Sequence, residues 1–110
     1  MPLTSRQIRY LRGLTHSLRP VVLVADNGLN ENVMIEIESA LQRHELVKIK
    51  LRADRDTRTA WINKISEQCS AQKVQVMGQV ACFFRRNKKK PIIALAGKTN
   101  LNWGQSKVPE

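Results

Sequence analysis

The sequence lacks several features that would assign it to a particular class of protein. It has no run of about 18 apolar residues, so no transmembrane helix is predicted, and its N-terminal segment lacks the apolar stretch of a signal peptide. We therefore expect a cytoplasmic protein without a membrane partner. Its two cysteines, Cys69 and Cys82, lie inside apolar-patterned segments, which predicts buried reduced thiols rather than a disulfide or a metal site.

Sequence signatures of catalysis are also missing. The two histidines, His16 and His44, are far apart and lie in no metal-binding pattern, and the chain has no nucleophile elbow, P-loop or GxGxxG motif. We expect a protein that is not an enzyme and that uses no cofactor, metal or small-molecule substrate. An RNA-modifying or nucleolytic subunit that uses one of the histidines is an alternative.

Acidic residues are scarce, and this scarcity is informative. Lys and Arg number 19 against 9 Asp and Glu, which gives a net charge of +10 and a pI near 10.3. Such an excess is typical of a protein that binds a polyanion. Residues 1–86 hold 14 basic and 8 acidic residues and residues 87–110 hold 5 and 1, so the excess is not confined to the C-terminus. Aromatic residues make up only 5% of the chain, which argues against a base-specific reader that depends on stacking.

Hydrophobic periodicity predicts seven elements in the order α-β-α-β-α-β-β. Thr4 and Gln7 fit a capping box before the first helix, and the apolar run "VVLVA" is typical of a fully buried strand. The predicted helices cover residues 5–18, 31–43 and 56–69, and the predicted strands cover 21–25, 46–52, 73–78 and 80–86, the last two joined by a hairpin turn at Gly78-Gln79. This order predicts an α/β two-layer sandwich with a mixed sheet in one domain, residues 1–86, followed by a basic, flexible tail, residues 87–110.

A glycine-bearing turn separates the first strand from the second helix. It comprises Ala25, Asp26, Asn27 and Gly28. The free amides and the dipole at a helix N-terminus attract phosphate, and a glycine lets a nucleic-acid backbone approach closely. The alternative is that Gly28 only supplies a positive φ for the turn. The carboxylates of Asp26 and Glu31 favour that alternative, because both would repel a phosphate.

Cations are arranged regularly at two further places. Lys48, Lys50 and Arg52 alternate with apolar residues, which predicts a ladder of charge on one strand face at a spacing of about 6.6 Å. Such a ladder suits a phosphate backbone, although exposed lysines also keep a sheet soluble or block edge pairing. In the first helix the cations recur every three residues, and another follows the helix: Arg6, Arg9, Arg12 and Arg19.

A third basic cluster, "FFRRNKKKP", lies at the end of the last strand. It combines Phe83 and Phe84 with Arg85, Arg86 and three lysines. Aromatic rings beside cations can stack bases. Because side chains alternate along a strand, however, the two rings lie on opposite faces, and we expect at least one of them in the core.

Three stretches of the chain resemble the CRM domain family in its stand-alone bacterial YhbY form. They are "LTSRQIRYLRGLTHSLRPVVLVADNGLNENVMIEIESAL", "HELVKIKL" and "VQVMGQVACFFRR", which together span most of residues 3–86. The resemblance implies a helix followed by an α/β unit similar to the C-terminal domain of bacterial translation initiation factor three. It also implies RNA binding and association with precursors of the large ribosomal subunit during assembly.

The GxxG loop of the family corresponds to residues 25–28, so this chain keeps the second glycine, Gly28, and has Ala25 in place of the first. Residues after Arg86 lie outside the resemblance. We expect a monomer whose partner is RNA, in particular large-subunit rRNA. The RNA-contacting residues are predicted to be Arg6, Arg9, Arg12, Arg19, Ala25, Asp26, Asn27, Gly28, Lys48, Lys50, Arg52, Arg85 and Arg86. The alternative is a protein-interaction module that docks on an acidic assembly or translation factor.

Overall fold

The computed structural model describes residues 3–87 and 89–93, which form three helices and a four-stranded sheet. The helices are α1 (Ser5–Thr15), α2 (Glu31–His44) and α3 (Arg55–Cys69), and the strands are β1 (Pro20–Val24), β2 (Leu46–Leu51), β3 (Gln72–Met77) and β4 (Val80–Phe84). The element order and the mixed sheet agree with the prediction. Within the described residues, no helix combines the length and apolar character that crossing a bilayer requires.

The strands lie in the order β1-β2-β4-β3. Strand β1 pairs with β2 in parallel, and β4 pairs antiparallel with both β2 and β3. Helix α2 makes the crossover between the parallel pair, whereas α3 carries the chain past β4 to the far edge. Strand β2 is therefore internal, and β1 and β3 are the two edges.

Two apolar clusters lie on opposite faces of the sheet. Helices α2 and α3 cover one face, where alternate residues of β2, Val47, Ile49 and Leu51, are buried with Phe83. Helix α1 covers part of the other face through Leu11, which packs in a cluster with Leu46, Val74, Cys82 and Phe84. The two-layer sandwich is thus formed by α2, α3 and the sheet, and α1 adds a partial layer on the opposite face.

The start of α1 follows its sequence signal, whereas its end differs from the prediction. Thr4 accepts from the Gln7 amide at 3.0 Å and the Gln7 side chain accepts from the Thr4 amide at 2.9 Å, which confirms the capping box. Helix α1 ends at Thr15, three residues before the predicted end. Its apolar period continues because the next turn is still helix-like: the Leu18 amide donates to the Thr15 carbonyl at 3.1 Å, and Leu18 packs against the α1 cluster.

The prediction that β1 is fully buried is wrong. Val22 and Val24 are buried under α2 and α3, but Val21 is 50% and Leu23 is 47% exposed. Strand β1 is an edge, and its outward face lies beyond the reach of α1. A short apolar run indicates a strand, but it does not reveal whether a helix covers both of its faces.

A single buried carboxylate organises the chain after β4. Glu45, which follows α2, is fully buried and has φ +64°, a conformation that non-glycine residues seldom adopt. Its carboxylate accepts from the guanidinium of Arg86 at 3.2 Å and from the backbone amides of Asn87, Ile92 and Ile93 at 2.6–2.9 Å. Because four donors converge on it, Glu45 holds residues 86–87 and 92–93 against the domain.

The C-terminal segment begins as part of this hydrogen-bonded unit. Asn87 also donates from its side chain to the Gln42 carbonyl at 3.2 Å, and Ile93 packs against the α1 cluster. Residue 88 and residues 94–110 lie outside the described residues. The division of the chain at residue 86 into a domain and a flexible tail therefore stays a prediction.

Replacing Glu45 should destabilise the fold strongly. Glu45→Ala leaves Arg86 and three backbone amides without their acceptor, so we expect a loss of about 2–4 kcal/mol in the free energy of unfolding. Glu45→Gly loses the same acceptor but relieves the positive φ, and it should be about 1 kcal/mol less destabilised than Glu45→Ala. Urea denaturation measures both. Glu36→Ala, at an exposed position of α2, is the control and should change stability by less than about 0.5 kcal/mol. Equal stability of Glu45→Ala and the unsubstituted protein would contradict the role of the carboxylate.

Candidate nucleic-acid interface

One end of the sheet gathers the turn after β1, the residues after β2 and the β3–β4 hairpin. The Arg52 amide donates to the Val24 carbonyl at 2.8 Å, and the Leu51 amide donates to the Gln79 carbonyl at 2.6 Å. This is the carboxyl end of the parallel pair, where α/β sheets commonly bind ligands. We call it the carboxyl edge.

The glycine turn at this edge is a compact hydrogen-bonded loop. The Gly28 amide donates to the Ala25 carbonyl at 2.8 Å, and Gly28 has φ +65°. A Cβ at Gly28 would lie 3.7 Å from Trp61 on α3, an ordinary contact, so it is the backbone conformation and not space that favours glycine. The expected positive φ is therefore present. Ala25 is not among the described residues with positive φ, so its methyl group introduces no backbone strain.

Helix α2 begins directly after this turn. Asn30 is the N-cap, and its side-chain oxygen accepts from the Val33 amide at 2.9 Å. The amides of the first turn before Val33 have no intrahelical acceptor, because a helix always begins with such groups. Asp26, Asn27 and Glu31 are exposed beside them. The turn thus offers amide donors and carboxylates together.

Helix α3 also begins at the carboxyl edge. Asp54 caps it by accepting from the Thr57 amide at 2.9 Å, and hydrogen bonds from Thr57 hold the pKa of the Asp54 carboxyl below its usual value. Arg58 reaches back from the first turns to donate to the Ala53 carbonyl at 2.7 Å, and Arg55 is exposed in the first turn. Two helix N-termini and several arginines therefore lie at one edge of the sheet.

Sequence reasoning did not select Arg55 or Arg58. The available signal was their position in the first turns of the helix that follows the predicted strand β2. Arg55 and Arg58 belong to the candidate interface because α2 and α3 begin at the same edge of the sheet, and this arrangement follows from the sheet topology.

The predicted ladder of charge leads along β2 to this edge. Lys48 and Lys50 are half-buried on the face shared with α1, and Arg52 is exposed just beyond the end of the strand. Because β2 pairs with strands on both sides, its lysines do not serve to block edge pairing. We call Lys48, Lys50, Arg52 and residues 25–28 the cationic track.

The remaining cations near α1 occupy the same face of the sheet. Arg6, Arg9 and Arg19 are exposed, whereas Arg12 donates from Nε to the Val74 carbonyl of β3 at 3.1 Å. Arg19 lines a groove of about 410 Å³ together with Lys48 and His44. The structure therefore brings Arg19 next to the cationic track.

Arg85 and Arg86 lie at the opposite end of the sheet. Phe84, which precedes them, pairs with Leu46 at the start of β2, so roughly 17 Å of strand separates them from the carboxyl edge. Arg85 contacts Glu38 at 2.7 Å and the Cys69 carbonyl at 3.0 Å, and Arg86 binds Glu45. These contacts stabilise the fold. A role of the two arginines in RNA binding stays a prediction.

The aromatic rings and thiols of β4 and α3 belong to the cores. Phe83 is 0% and Phe84 4% exposed, so both rings are packed within the domain, as expected for at least one of them. Cys69 and Cys82 are buried free thiols, and burial raises the pKa of each. Among the described residues, no group of three or more His, Cys, Asp or Glu side chains is placed to hold a metal ion.

Gly28→Ala tests the conformational role of the turn. Because alanine is strained at φ +65°, the substitution should lower the free energy of unfolding by about 1 kcal/mol. Gly13→Ala is the matched control, since it lies inside α1 with no atom within 4 Å of the added methyl group. It should raise stability by up to about 1 kcal/mol. Thermal unfolding measures both, and a neutral Gly28→Ala would contradict the requirement for glycine.

Comparisons with known proteins agree with this architecture. The family model described as the CRS1 / YhbY (CRM) domain matches residues 3–85. A Haemophilus influenzae protein named "RNA-binding protein" is 42% identical over 91 residues, which cover 82% of this chain and 92% of the relative. A candidate RNA-binding protein of Pseudomonas aeruginosa is 42% identical over 90 residues, which cover 81% of this chain and 86% of the relative.

A solved structure agrees as well. The solution structure of SAV1595 from Staphylococcus aureus, described as a candidate RNA-binding protein, superimposes with a TM-score of 0.68 at 31% identity and covers 77% of this chain and 90% of its own. These relatives are named for RNA binding and not for an enzymatic activity, in agreement with the prediction of a non-catalytic protein. The chain belongs to the CRS1 / YhbY (CRM) domain family.

Proposed function

We propose that this chain is a cytoplasmic, monomeric RNA-binding protein that associates with large-subunit rRNA in precursor ribosomal particles. The observation that carries RNA binding is the cationic track, in which the cations of β2 lead to the glycine turn and to the N-termini of α2 and α3. Membership in the CRM family and the names of the relatives support RNA as the partner. The ribosomal role is supported by the family resemblance.

The contacts that the track offers are directed mainly to the RNA backbone. Lys48, Lys50 and Arg52 neutralise phosphates, and the amides at the start of α2 hold another beside Gly28. Phosphate contacts position a protein on its nucleic acid and carry little sequence information. The protein therefore recognises the shape of a folded RNA more than a short sequence motif.

Acidic side chains beside the glycine turn limit how strongly the turn can bind a phosphate. Asp26 and Glu31 are exposed beside it, so a phosphate at the amides of α2 is repelled by two carboxylates. The cations at the end of β2 and in the first turns of α3 offset this repulsion. We expect the lysines of β2 to supply most of the affinity and the turn to supply orientation.

The dependence of binding on salt tests this mechanism. If about five phosphates are neutralised, a plot of log K against log salt should have a slope of about −3.5 to −4.5. Lys50→Gln should reduce the magnitude of that slope by about 0.7–0.9 and weaken binding similarly for different RNA sequences. Lys64→Gln, at an exposed position of α3, is the matched control and should leave the slope unchanged. Equal slopes for both variants and the unsubstituted protein would rule out the track.

Crosslinking in cells tests the partner. Ultraviolet crosslinking of the tagged protein, followed by sequencing of the RNA and mapping of the peptides, should recover large-subunit rRNA attached through residues 25–31 or 48–52. Crosslinks to unrelated RNAs through residues 87–110 alone would indicate a nonspecific polycation. Retention of a protein partner after nuclease treatment, with no RNA crosslinks, would instead support the protein-interaction module.

A further inference from the structure

Part of the sheet face next to α1 is uncovered. Helix α1 ends at Thr15, and beyond it one row of side chains crosses all four strands: Leu23 on β1, Lys50 on β2, Val80 on β4 and Met77 on β3. Met77 is 62% exposed. A charged lysine in a row of apolar side chains gives this face both attraction for an anion and apolar contact area.

A recess of about 190 Å³ lies between the end of α1 and this row. It is lined by Thr15, His16, Lys48, Gln75, Met77, Val80 and Cys82. Cys82 is buried beneath it, while the side chains of Met77 and Val80 provide apolar contact. The recess is smaller than the about 300–1,000 Å³ typical of sites for drug-sized ligands, which suits one planar ring system.

One polar side chain of the recess, Gln75, has hydrogen-bonding capacity to spare. Gln75 is half-buried, and its side-chain amide has no hydrogen-bond partner in the part of the chain that the structure describes. The Thr15 hydroxyl, by contrast, donates to the Arg12 carbonyl at 2.6 Å and is also within hydrogen-bonding reach of the Cys82 thiol. Burying part of an amide without a hydrogen-bond partner costs free energy. A ligand with a donor and an acceptor on one edge would form hydrogen bonds with both the oxygen and the nitrogen of the Gln75 amide.

We infer that this recess binds the base of an unpaired RNA nucleotide. The base lies against Met77 and Val80, the amide of Gln75 pairs with its hydrogen-bonding edge, and Lys48 and Lys50 hold the flanking phosphates. The inference rests on the proposed function and adds to it a site that selects unpaired over paired RNA. Because an amide forms two hydrogen bonds with the edge of adenine most readily, adenine fits best.

The charge around the recess favours a nucleotide over an apolar peptide. Lys48 lines the recess, Lys50 lies in the adjoining row and His16 stands at its rim, whereas none of the lining residues is acidic. A planar base with its phosphates satisfies the cations, the amide and the apolar wall together. The chain has few aromatic residues, so the polarisable thioether of Met77 takes the part that a ring has in other RNA-binding sheets.

Methyl NMR of the full-length protein locates the base directly. The sequence contains three methionines, Met1, Met34 and Met77, and Met34, a residue of α2, packs against the cluster on the opposite face of the sheet. Titration with short single-stranded oligoadenylate should shift the Met77 methyl signal through the ring current of the base and leave the Met34 signal in place. A blunt-ended, fully paired RNA duplex should move neither signal.

A substitution pair measures the contribution of the amide. Gln75→Ala should weaken binding of oligoadenylate on the order of tenfold, with an unchanged salt slope and unchanged affinity for the paired duplex. Gln68→Ala, at an exposed position of α3, is the control and should behave as the unsubstituted protein. The methyl shift keeps the test decisive even if Gln75→Ala fails to fold.

The outcomes separate this site from the proposed function. If both RNAs bind with the predicted salt slope while the Met77 signal stays fixed and Gln75→Ala binds normally, RNA binding stands and the base site is overturned. If neither RNA binds, the proposed function fails and the base site fails with it. A Met77 shift with free adenosine monophosphate as well as with oligoadenylate would support the recess as the base site.

Discussion

The alternation of buried and charged residues along β2 is the constraint on which the rest of the domain depends. Val47, Ile49 and Leu51 anchor α2 and α3, while Lys48 and Lys50 are directed to the opposite face. Because β2 pairs with β1 and β4, a shift of one residue in register would expose the apolar set and bury both lysines. The alternation of side chains along β2 therefore places apolar residues in the core and lysines on the opposite face of the sheet.

The size of α1 determines how much of that charged face is accessible. The helix covers Leu46, Cys82 and Phe84 through Leu11 and ends before the row that contains Lys50. A longer helix would bury the lysines without partners, at a considerable desolvation cost. A shorter one would expose Leu46 and Phe84. The cover on this face is therefore a compromise between core packing and access for an anion.

Much of the fold was predictable from local patterns. The capping box at Thr4 and the Gly78 hairpin depend on residues close in sequence, and both appear where the patterns place them. The exposure of β1 was not predictable in the same way. It depends on which elements pack beside the strand, and an apolar run of five residues is compatible with an edge and with a central position.

The candidate site likewise contains residues that local sequence patterns reveal and residues that only the folded domain brings together. The ladder on β2 follows from the period of two, so Lys48 and Lys50 were found from sequence. Arg85 and Arg86 look equally basic in sequence, but their acceptors, Glu38 and Glu45, lie 47 and 41 residues away along the chain and become neighbours only in the folded domain. The recess beside Met77 likewise joins residues of α1, β2, β3 and β4, which no local pattern brings together.

The buried carboxylate of Glu45 receives some of its hydrogen-bond donors late in the synthesis of the chain. Two of its donors, the amides of Ile92 and Ile93, belong to residues that are added when most of the 110-residue chain has already been made. Until then the residues of the described helices and strands have been made, but the carboxylate of Glu45 lacks two of its four donors. A nascent chain that stops before residue 92 therefore offers Glu45 the donors of Arg86 and Asn87 alone, and an incompletely paired carboxylate is costly to bury.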